Sequence, residues 1–435
     1  MASRLHPLKV SVTTLAGFAC REGDLVTDGV AGPSSSQGIA AHKRVQKELL
    51  ESTTGDSPVE VEVSLSCSCT IAGREIDLSG RLDWIDSSLP CLGEIKTTLV
   101  PPEHLPDSQK SLHWAQLYLY GYIFLQQNAE DVQHAESLEL CLLYINIRAN
   151  ETHRETRHVC VNELYNYAER ALAVYLAWSE KVDQCAQAMQ SSARELAFPF
   201  ENYRQGQRDM AAAVFRACRD GQPLVCEAPT GIGKTISSLY PAIRSMGEGQ
   251  LKQIVYLTAK VAGRLSASRA LLQLQQAGLV VNALEIRAKQ SSCFCANGRC
   301  ERDADGRCPM SVGFYDRLPA ARDELLSCRV AGAEIVEDIA WQHQLCPFEL
   351  MQQMLPWVHV VIADYNYVFD PLVRLQHFSV VARRTVLLID EAHNLVDRSR
   401  QMFSARLNSK PCMNLAAACR QSYPLIEDRL LKLAR

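Results

Sequence analysis

No stretch of this 435-residue sequence forms an apolar run of the ~18 residues a membrane-spanning helix needs, so a helical span is not expected. Residues 1–20 lack a basic start followed by an apolar block of roughly 7–15 residues, which excludes a secretory leader there. No internal repeat is evident. An excess of basic charge is also missing: 45 Lys and Arg face 49 Asp and Glu, for a net charge of −4. Global charge therefore gives no argument for nucleic acid, although a local basic groove stays compatible with it. Cysteine, by contrast, is plentiful at 17 residues. Without a leader, a reducing cytoplasmic setting is expected rather than a disulfide framework. Most of these cysteines stand singly in apolar patterns, as Cys141 does in "LELCLLYI", and read as small core residues. Hydrophobic residues at 47% and charged residues at 22% describe a globular chain of two to four domains.

Two breaks organise the chain. "DGVAGPSSSQG" (28–38) is a Gly/Pro/Ser loop, and "QSSARELAFPF" (190–200) closes a long helical pattern and marks a domain boundary. Before it, "VEVEVSLSCSC" (59–69) alternates as a half-buried strand. "REIDLSGRLDWID" (74–86) and "CLGEIKTT" (91–98) are two further strands separated by a turn. Alternation along the last strand puts Glu94 and Lys96 on one face and Ile95 on the other. If these two strands pair, Asp83 lies near Glu94, and two carboxylates converge with a lysine. Carboxylate oxygens suit hard divalent cations such as Mg²⁺, which can activate water and stabilise charge on a phosphodiester.

Two helical patterns flank this hairpin. "GIAAHKRVQKELL" (38–50) carries His42, and "LHWAQLYLYGYIFL" (112–125) carries Gln116 and Tyr120, four apart on one face. In this order the segment resembles the RecB-like branch of the PD-(D/E)XK nucleases. The resemblance covers roughly residues 1–180. It implies that His42, Asp83 and Glu94 ligate Mg²⁺ or Mn²⁺, that Lys96 is catalytic, and that Gln116 and Tyr120 support the site or touch DNA. Some relatives hold an iron–sulfur cluster within this domain. Here Cys20, Cys141, Cys160 and Cys185 are too scattered for one, and Cys20 reads as structural.

The next block reads as a nucleotide motor. "PLVCEAPTGIGKTISSLYPAI" (223–243) is patterned as strand, glycine loop and helix, with Ala228 in the first glycine position of a P-loop. Thr230, Gly231 and Gly233 shape the loop, Lys234 faces the β- and γ-phosphates of ATP, and Thr235 can take Mg²⁺. "RRTVLLIDEAHNLVD" (383–397) reads as a buried parallel strand that delivers Asp390 to Mg²⁺ and Glu391 to the attacking water, with His393 completing a DEAH box. "YRQGQRDM" (203–210) and "IVYLTAK" (254–260) complete a set that resembles superfamily 2 helicase motifs. That resemblance implies that Gln207 reads adenine and that Thr258 and Lys260 face DNA phosphates.

Asp390 follows Lys234 by 156 positions, more than a compact RecA-like lobe requires, and the excess holds "CFCANGRCERDADGRC" (293–308). The layout, with "CPMSVGFYDRL", "CPFEL" and "VHVVIADYNYVFDP", resembles the XPD/DinG iron–sulfur helicases. It implies a [4Fe–4S] cluster on Cys293, Cys300, Cys308 and Cys346, with Cys295 as the alternative to Cys293 and Cys328 as a spare. Zinc is the rival, but seven residues between Cys300 and Cys308 and 37 between Cys308 and Cys346 depart from paired C-x₂₋₄-C spacing.

The expected architecture is a multidomain α/β chain. A RecB-like nuclease spans 1–190. A RecA-like parallel-sheet P-loop lobe spans 196–289 and 358–397, with an iron–sulfur insert at 290–357. A helical arch begins at 398–435. The implied function is an ATP-dependent DNA helicase–nuclease of DNA repair type, translocating 5′ to 3′ and acting on single strands and junctions. The sequence ends 42 residues after His393, so the second motor lobe, with its arginine finger, is expected on a continuation or a partner chain. A stand-alone nuclease with a non-motor remnant and a non-catalytic DNA-binding scaffold are the alternatives.

Overall fold

The structure is a computed structural model and describes residues 6–26, 32–52, 59–86, 91–128, 136–295, 307–379, 384–420 and 422–434. It divides into two compact units. One comprises Met1–Pro199, Gly247–Gly249 and Leu274–His359; the other comprises Phe200–Met246, Gln250–Gln273 and Val360–Arg435.

The first unit opens with β1 (Leu8–Ser11), α1 (Val12–Ala19), α2 (Ser35–Ser52), β2 (Val59–Ile71), β3 (Arg74–Asp86) and β4 (Cys91–Thr98). It continues through α3 (Asp107–Gln127), β5 (Ser137–Asn146), β6 (Glu151–Cys160) and α4 (Val161–Glu195). Helix α2 begins inside the expected loop at Ser35, and residues 28–31 of that loop lie outside the described residues. The strands form one mixed sheet in the order β1-β3-β4-β5-β6, with β2 also on β3. Ala72 and Gly73, both with positive φ, make the two-residue turn that joins β2 to β3, a geometry suited to a twisted hairpin. Strand β4, parallel to β5, is central and almost continuously buried, as such strands are. One core joins the sheet to α1, α3 and α4, and a smaller one packs Ala41 and Val45 of α2 on Trp84, Ile95 and Leu143. Gly93 is required there: a Cβ would stand 1.8 Å from the Trp84 indole.

Next come α5 (Gln207–Asp220), α6 (Lys234–Gly247), β7 (Gln253–Leu257) and α7 (Val261–Gln276). The chain then returns to the first unit with β8 (Ala283–Glu285), α8 (Lys289–Ser292), α9 (Phe314–Ser327), β9 (Val330–Ala331), α10 (Ala333–Gln342) and α11 (Pro347–Met354). The cysteine segment thus packs with residues 1–199. Asp24 takes the Gly313 amide at 2.8 Å, Asp316 takes the Gly23 amide at 2.9 Å, and the Leu25 amide donates to the Ser311 carbonyl at 2.8 Å. Arg21 donates to Tyr315 Oη at 2.6 Å. Trp357 packs edge-on against Phe18 and Trp178, with the buried Arg322 guanidinium stacked over Phe18.

The second unit closes with β10 (Val360–Ala363), α12 (Asn366–Phe369), β11 (Thr385–Ile389), α13 (Asn394–Met402), α14 (Ser409–Cys419) and α15 (Pro424–Ala434). Strand β7 lies between β11 and β10, parallel to both, which makes this an α/β unit with a parallel sheet. Two expectations are corrected here. Residues 223–227 form no strand, and Leu224 and Val225 are exposed, Val225 by 98%; the segment has no ladder, so its apolar side chains gain no burial. Strand β11, expected to be buried, is half-buried along its whole length. The last residues are helical, with α14 packed on α15.

Candidate functional site

The nuclease-type residues meet where β3 has no ladder on the edge that carries β1 and β4, while β2 stays paired on the other. The β1 ladder on β3 ends at Ser79, and the β4 ladder begins at Trp84, so residues 80–83 face a gap. Side chains fill it. Asp83 Oδ2 accepts the Ile95 amide proton at 2.6 Å, in place of a backbone carbonyl. Tyr120 donates its hydroxyl to the Arg81 carbonyl at 2.9 Å. Its ring crosses Gly80 so closely that a Cβ there would sit 2.7 Å away. Tyr120 is 3% exposed.

His42 of α2 places Nδ1 3.8 Å from Asp83 Oδ1. Lys96 Nζ donates to Glu94 Oε1 at 2.9 Å and to Gln116 Oε1 at 2.7 Å. Glu94 Oε2 is buried and has no hydrogen-bond partner among the described residues. Burial raises the pKa of both Asp83 and Glu94. Burial, and then the Lys96 charge, lowers that of His42. An orphaned carboxylate oxygen, a second carboxylate and an imidazole are a donor set for Mg²⁺ or Mn²⁺. Among the described residues no group of three or more such side chains is drawn together as tightly as a filled metal site.

Glu62 and Arg81 escaped the sequence reading. In "VEVEV" Glu62 looks like one more outward strand residue. In the fold it has φ 55°, between the Val61–Trp84 and Val63–Leu82 pairs. Its carboxylate takes Arg81 Nε at 2.7 Å and the side-chain amide of Gln46, one turn beyond His42, at 2.8 Å.

In the second unit, Gly231 and Gly233 have positive φ, and α6 starts at Lys234. The Gln207 amide lies beneath Gly233, where a Cβ would meet it at 2.7 Å, and Gln207 Oε1 accepts the Arg204 amide at 2.9 Å. Gln207 is 3% exposed and braces the loop. Arg204 also bonds the Gly231 carbonyl. Lys234 Nζ lies 3.0 Å from Glu391 Oε1, and this contact lowers the Glu391 pKa. Thr235 is 3.5 Å from Tyr256 Oη, and burial raises the Asp390 pKa. Thr230 opens the loop and is exposed. His393 Nδ1 lies 3.4 Å from Glu391 Oε2. The Thr258 amide extends the ladder to Ala363, and its side chain is buried where Gly263 crosses it. Lys260 is exposed.

Among the cysteines, Cys295 Sγ is 4.0 Å from Cys308 Sγ. Cys308 and Cys346 are buried, and Cys346 caps the N-terminus of α11. Burial raises the Cys346 pKa, and the Glu349 and Phe348 amides oppose that rise. Cys293 caps the C-terminus of α8, and Cys328 that of α9. Cys300 lies outside the described residues.

Comparison with known proteins finds one matching family and several similar helicases. Residues 250–411 match the DEAD_2 family. Similar proteins include the "General transcription and DNA repair factor IIH helicase subunit XPD" of Dictyostelium discoideum, 23% identical over 237 residues, which covers 49% of this chain and 30% of that protein. The "Regulator of telomere elongation helicase 1 homolog" of Drosophila melanogaster is 24% identical over 49% of this chain and 26% of its own length. The "ATP-dependent DNA helicase YoaA" of Escherichia coli (strain K12) is 27% identical over 51% of this chain and 37% of its own. A solved "XPD_Helicase" aligns at TM-score 0.38 and 19% identity, covering 54% of this chain and 40% of that one. The chain spans little more than a third, at most, of the length of these curated relatives. No helix among the described residues is long and apolar enough to cross a membrane. The chain thus matches the DEAD_2 family across residues 250–411 and is similar, over about half its length, to helicases of the XPD kind.

Proposed function

We propose that this chain joins a metal-dependent DNA nuclease to the nucleotide-binding lobe of an ATP-dependent, XPD-like superfamily 2 DNA helicase. The observation that carries the nuclease half is the meeting of His42, Asp83, Glu94, Lys96 and Gln116 around the partnerless Glu94 Oε2. His42, Asp83 and Glu94 would hold Mg²⁺ or Mn²⁺, which when bound supplies an acidified water and neutralises phosphate charge. Lys96, oriented by Glu94 and Gln116, would hold the attacking water by donating a hydrogen bond to it from Nζ. Asp83 fixes β4 through the Ile95 amide while presenting its other oxygen to the site.

In the motor half, the Gly231–Gly233 loop would cradle the phosphates of ATP, with Lys234 on their charge. Thr235 and Asp390 would hold Mg²⁺, and Glu391, released from Lys234, would orient water. The DEAD_2 match and the helicase relatives support this reading. For the cysteine segment, the Cys295–Cys308 approach and the burial of Cys308 and Cys346 suit thiolate ligation of an iron–sulfur cluster. Cys300 and either Cys295 or Cys293 would complete the set.

The test is cutting of labelled single-stranded DNA by the full chain with Mg²⁺ or Mn²⁺. Cutting that disappears in Glu94→Ala and Lys96→Ala supports the reading. Undiminished cutting in both variants refutes it.

A further inference from the structure

We propose that Arg81 is a DNA-phosphate anchor at the mouth of the nuclease-type site and that Glu62 is its positioning residue. This rests on the nuclease reading and extends it to how the site admits its substrate. Two carboxyl groups line the interior of the site, those of Asp83 and Glu94, and Lys96 is already shared between Glu94 and Gln116. A polyanionic strand needs further positive charge beside such a site. Arg81 is two residues before Asp83 on the same strand, and its side chain is 69% exposed. A guanidinium there can take a phosphate next to the one that meets the metal.

Arg81 is held from two directions, and one of its partners is itself braced. Tyr120 of α3 fixes its carbonyl at 2.9 Å. Glu62 of β2 holds its Nε at 2.7 Å, and Gln46 of α2 holds the other oxygen of Glu62 at 2.8 Å. Glu62 makes these contacts from a backbone with φ 55°, a conformation that side-chain-bearing residues rarely adopt. A surface ion pair alone returns little against such strain, so the geometry points to orientation as its use. Holding one edge of the guanidinium leaves its planar fork fixed in direction, which favours bidentate phosphate contact.

The test is binding of the full chain to a short fluorescent single-stranded oligothymidylate, with Ca²⁺ in place of Mg²⁺ to prevent cutting, at several salt concentrations. Arg81→Ala should weaken binding by about tenfold and lower the slope of log K against log salt by about 0.7, the share of one phosphate on a single strand. Arg81→Lys should restore the slope but not the full affinity. Glu62→Gln should weaken binding in the wild-type background and change nothing further in Arg81→Ala. An unchanged slope in Arg81→Ala with an unaltered circular dichroism spectrum would overturn the proposal. If Arg81→Ala does not fold, Arg81→Gln is judged by the same slope. The Glu94→Ala cutting assay separates the two readings. If that variant still cuts, the nuclease reading fails while the slope still decides Arg81; if it is dead and the slope is unchanged, only the Arg81 anchor fails.

Discussion

Asp83 Oδ2 accepts the Ile95 amide at 2.6 Å, at the point where the backbone ladder between β3 and β4 stops. One carboxylate therefore does two separable jobs, closing the sheet and charging the site. Asp83→Asn keeps an acceptor for the amide and loses the charge. It should fold as well as the wild type and fail to cut DNA. Asp83→Ala should also lose about 1–3 kcal/mol of stability, because the Ile95 amide is left without a partner. Urea unfolding beside the cutting assay distinguishes the two; equal stability losses would contradict the division of roles.

Lys234 and Glu391, 3.0 Å apart, must separate when a nucleotide enters. Both side chains are partly exposed, and such a pair is worth roughly 0–1 kcal/mol. Glu391→Gln should thus bind a fluorescent ATP analogue as well as the wild type or up to about fivefold more tightly. Lys234→Ala should lose most of that binding. Weaker binding by Glu391→Gln would show that the glutamate assists nucleotide entry instead of competing with it.

The 4.0 Å approach of Cys295 to Cys308 makes the first ligand testable. In anaerobically purified protein, Cys308→Ala and Cys346→Ala should each lose iron, and the one of Cys295→Ala and Cys293→Ala that loses it identifies the first ligand. Hydrogen exchange should rise across residues 307–357 in the depleted variants. Stoichiometric zinc and no iron in the wild type would identify the wrong metal.

His359 accepts the Asn282 amide on Nδ1 at 3.1 Å, inside the first unit. Burial, and next the Arg329 charge, lowers its pKa from 6.5 to about 4. Between those values the unfolded chain binds more protons than the folded one, so stability rises with pH. The contribution is complete above about pH 6.5 and is lost as pH falls through 4, roughly 3 kcal/mol in all. His359→Asn, which keeps an acceptor, should flatten the stability–pH curve over that window. An unchanged slope would show that His359 titrates normally.

The hairpin was legible because its signals are local. Alternation in "GRLDWID" and "CLGEIKTT" is enough to line Asp83 up with Glu94, and four-residue spacing is enough to put Gln116 and Tyr120 on one helix face. Glu62 was not legible, because a left-handed residue inside an alternating run leaves no trace in residue type. Residues 223–227 misled because apolarity predicts burial without naming the partner that supplies it. The burial of Thr258 was not legible for a related reason: whether a side chain after a strand reaches solvent depends on how closely Gly263 of the next helix crosses it. The contact of the cysteine segment with residues 18–25 joins positions almost 300 apart, where no local period exists.

That contact also sets a timetable for the nascent chain. Arg21 and Tyr315 are separated by 294 residues, so the first strand and helix leave the ribosome long before their docking partner. At roughly 5–20 residues per second, the wait is about 15–60 s. Throughout that interval Phe18 and Trp178 lack the Trp357 ring that later covers them, and the entire second-unit segment from Phe200 to Met246 is synthesised in between. This part of the first unit is thus made before residues 200–246 and completed only after them, and its maturation follows the rate at which the ribosome reaches residue 357.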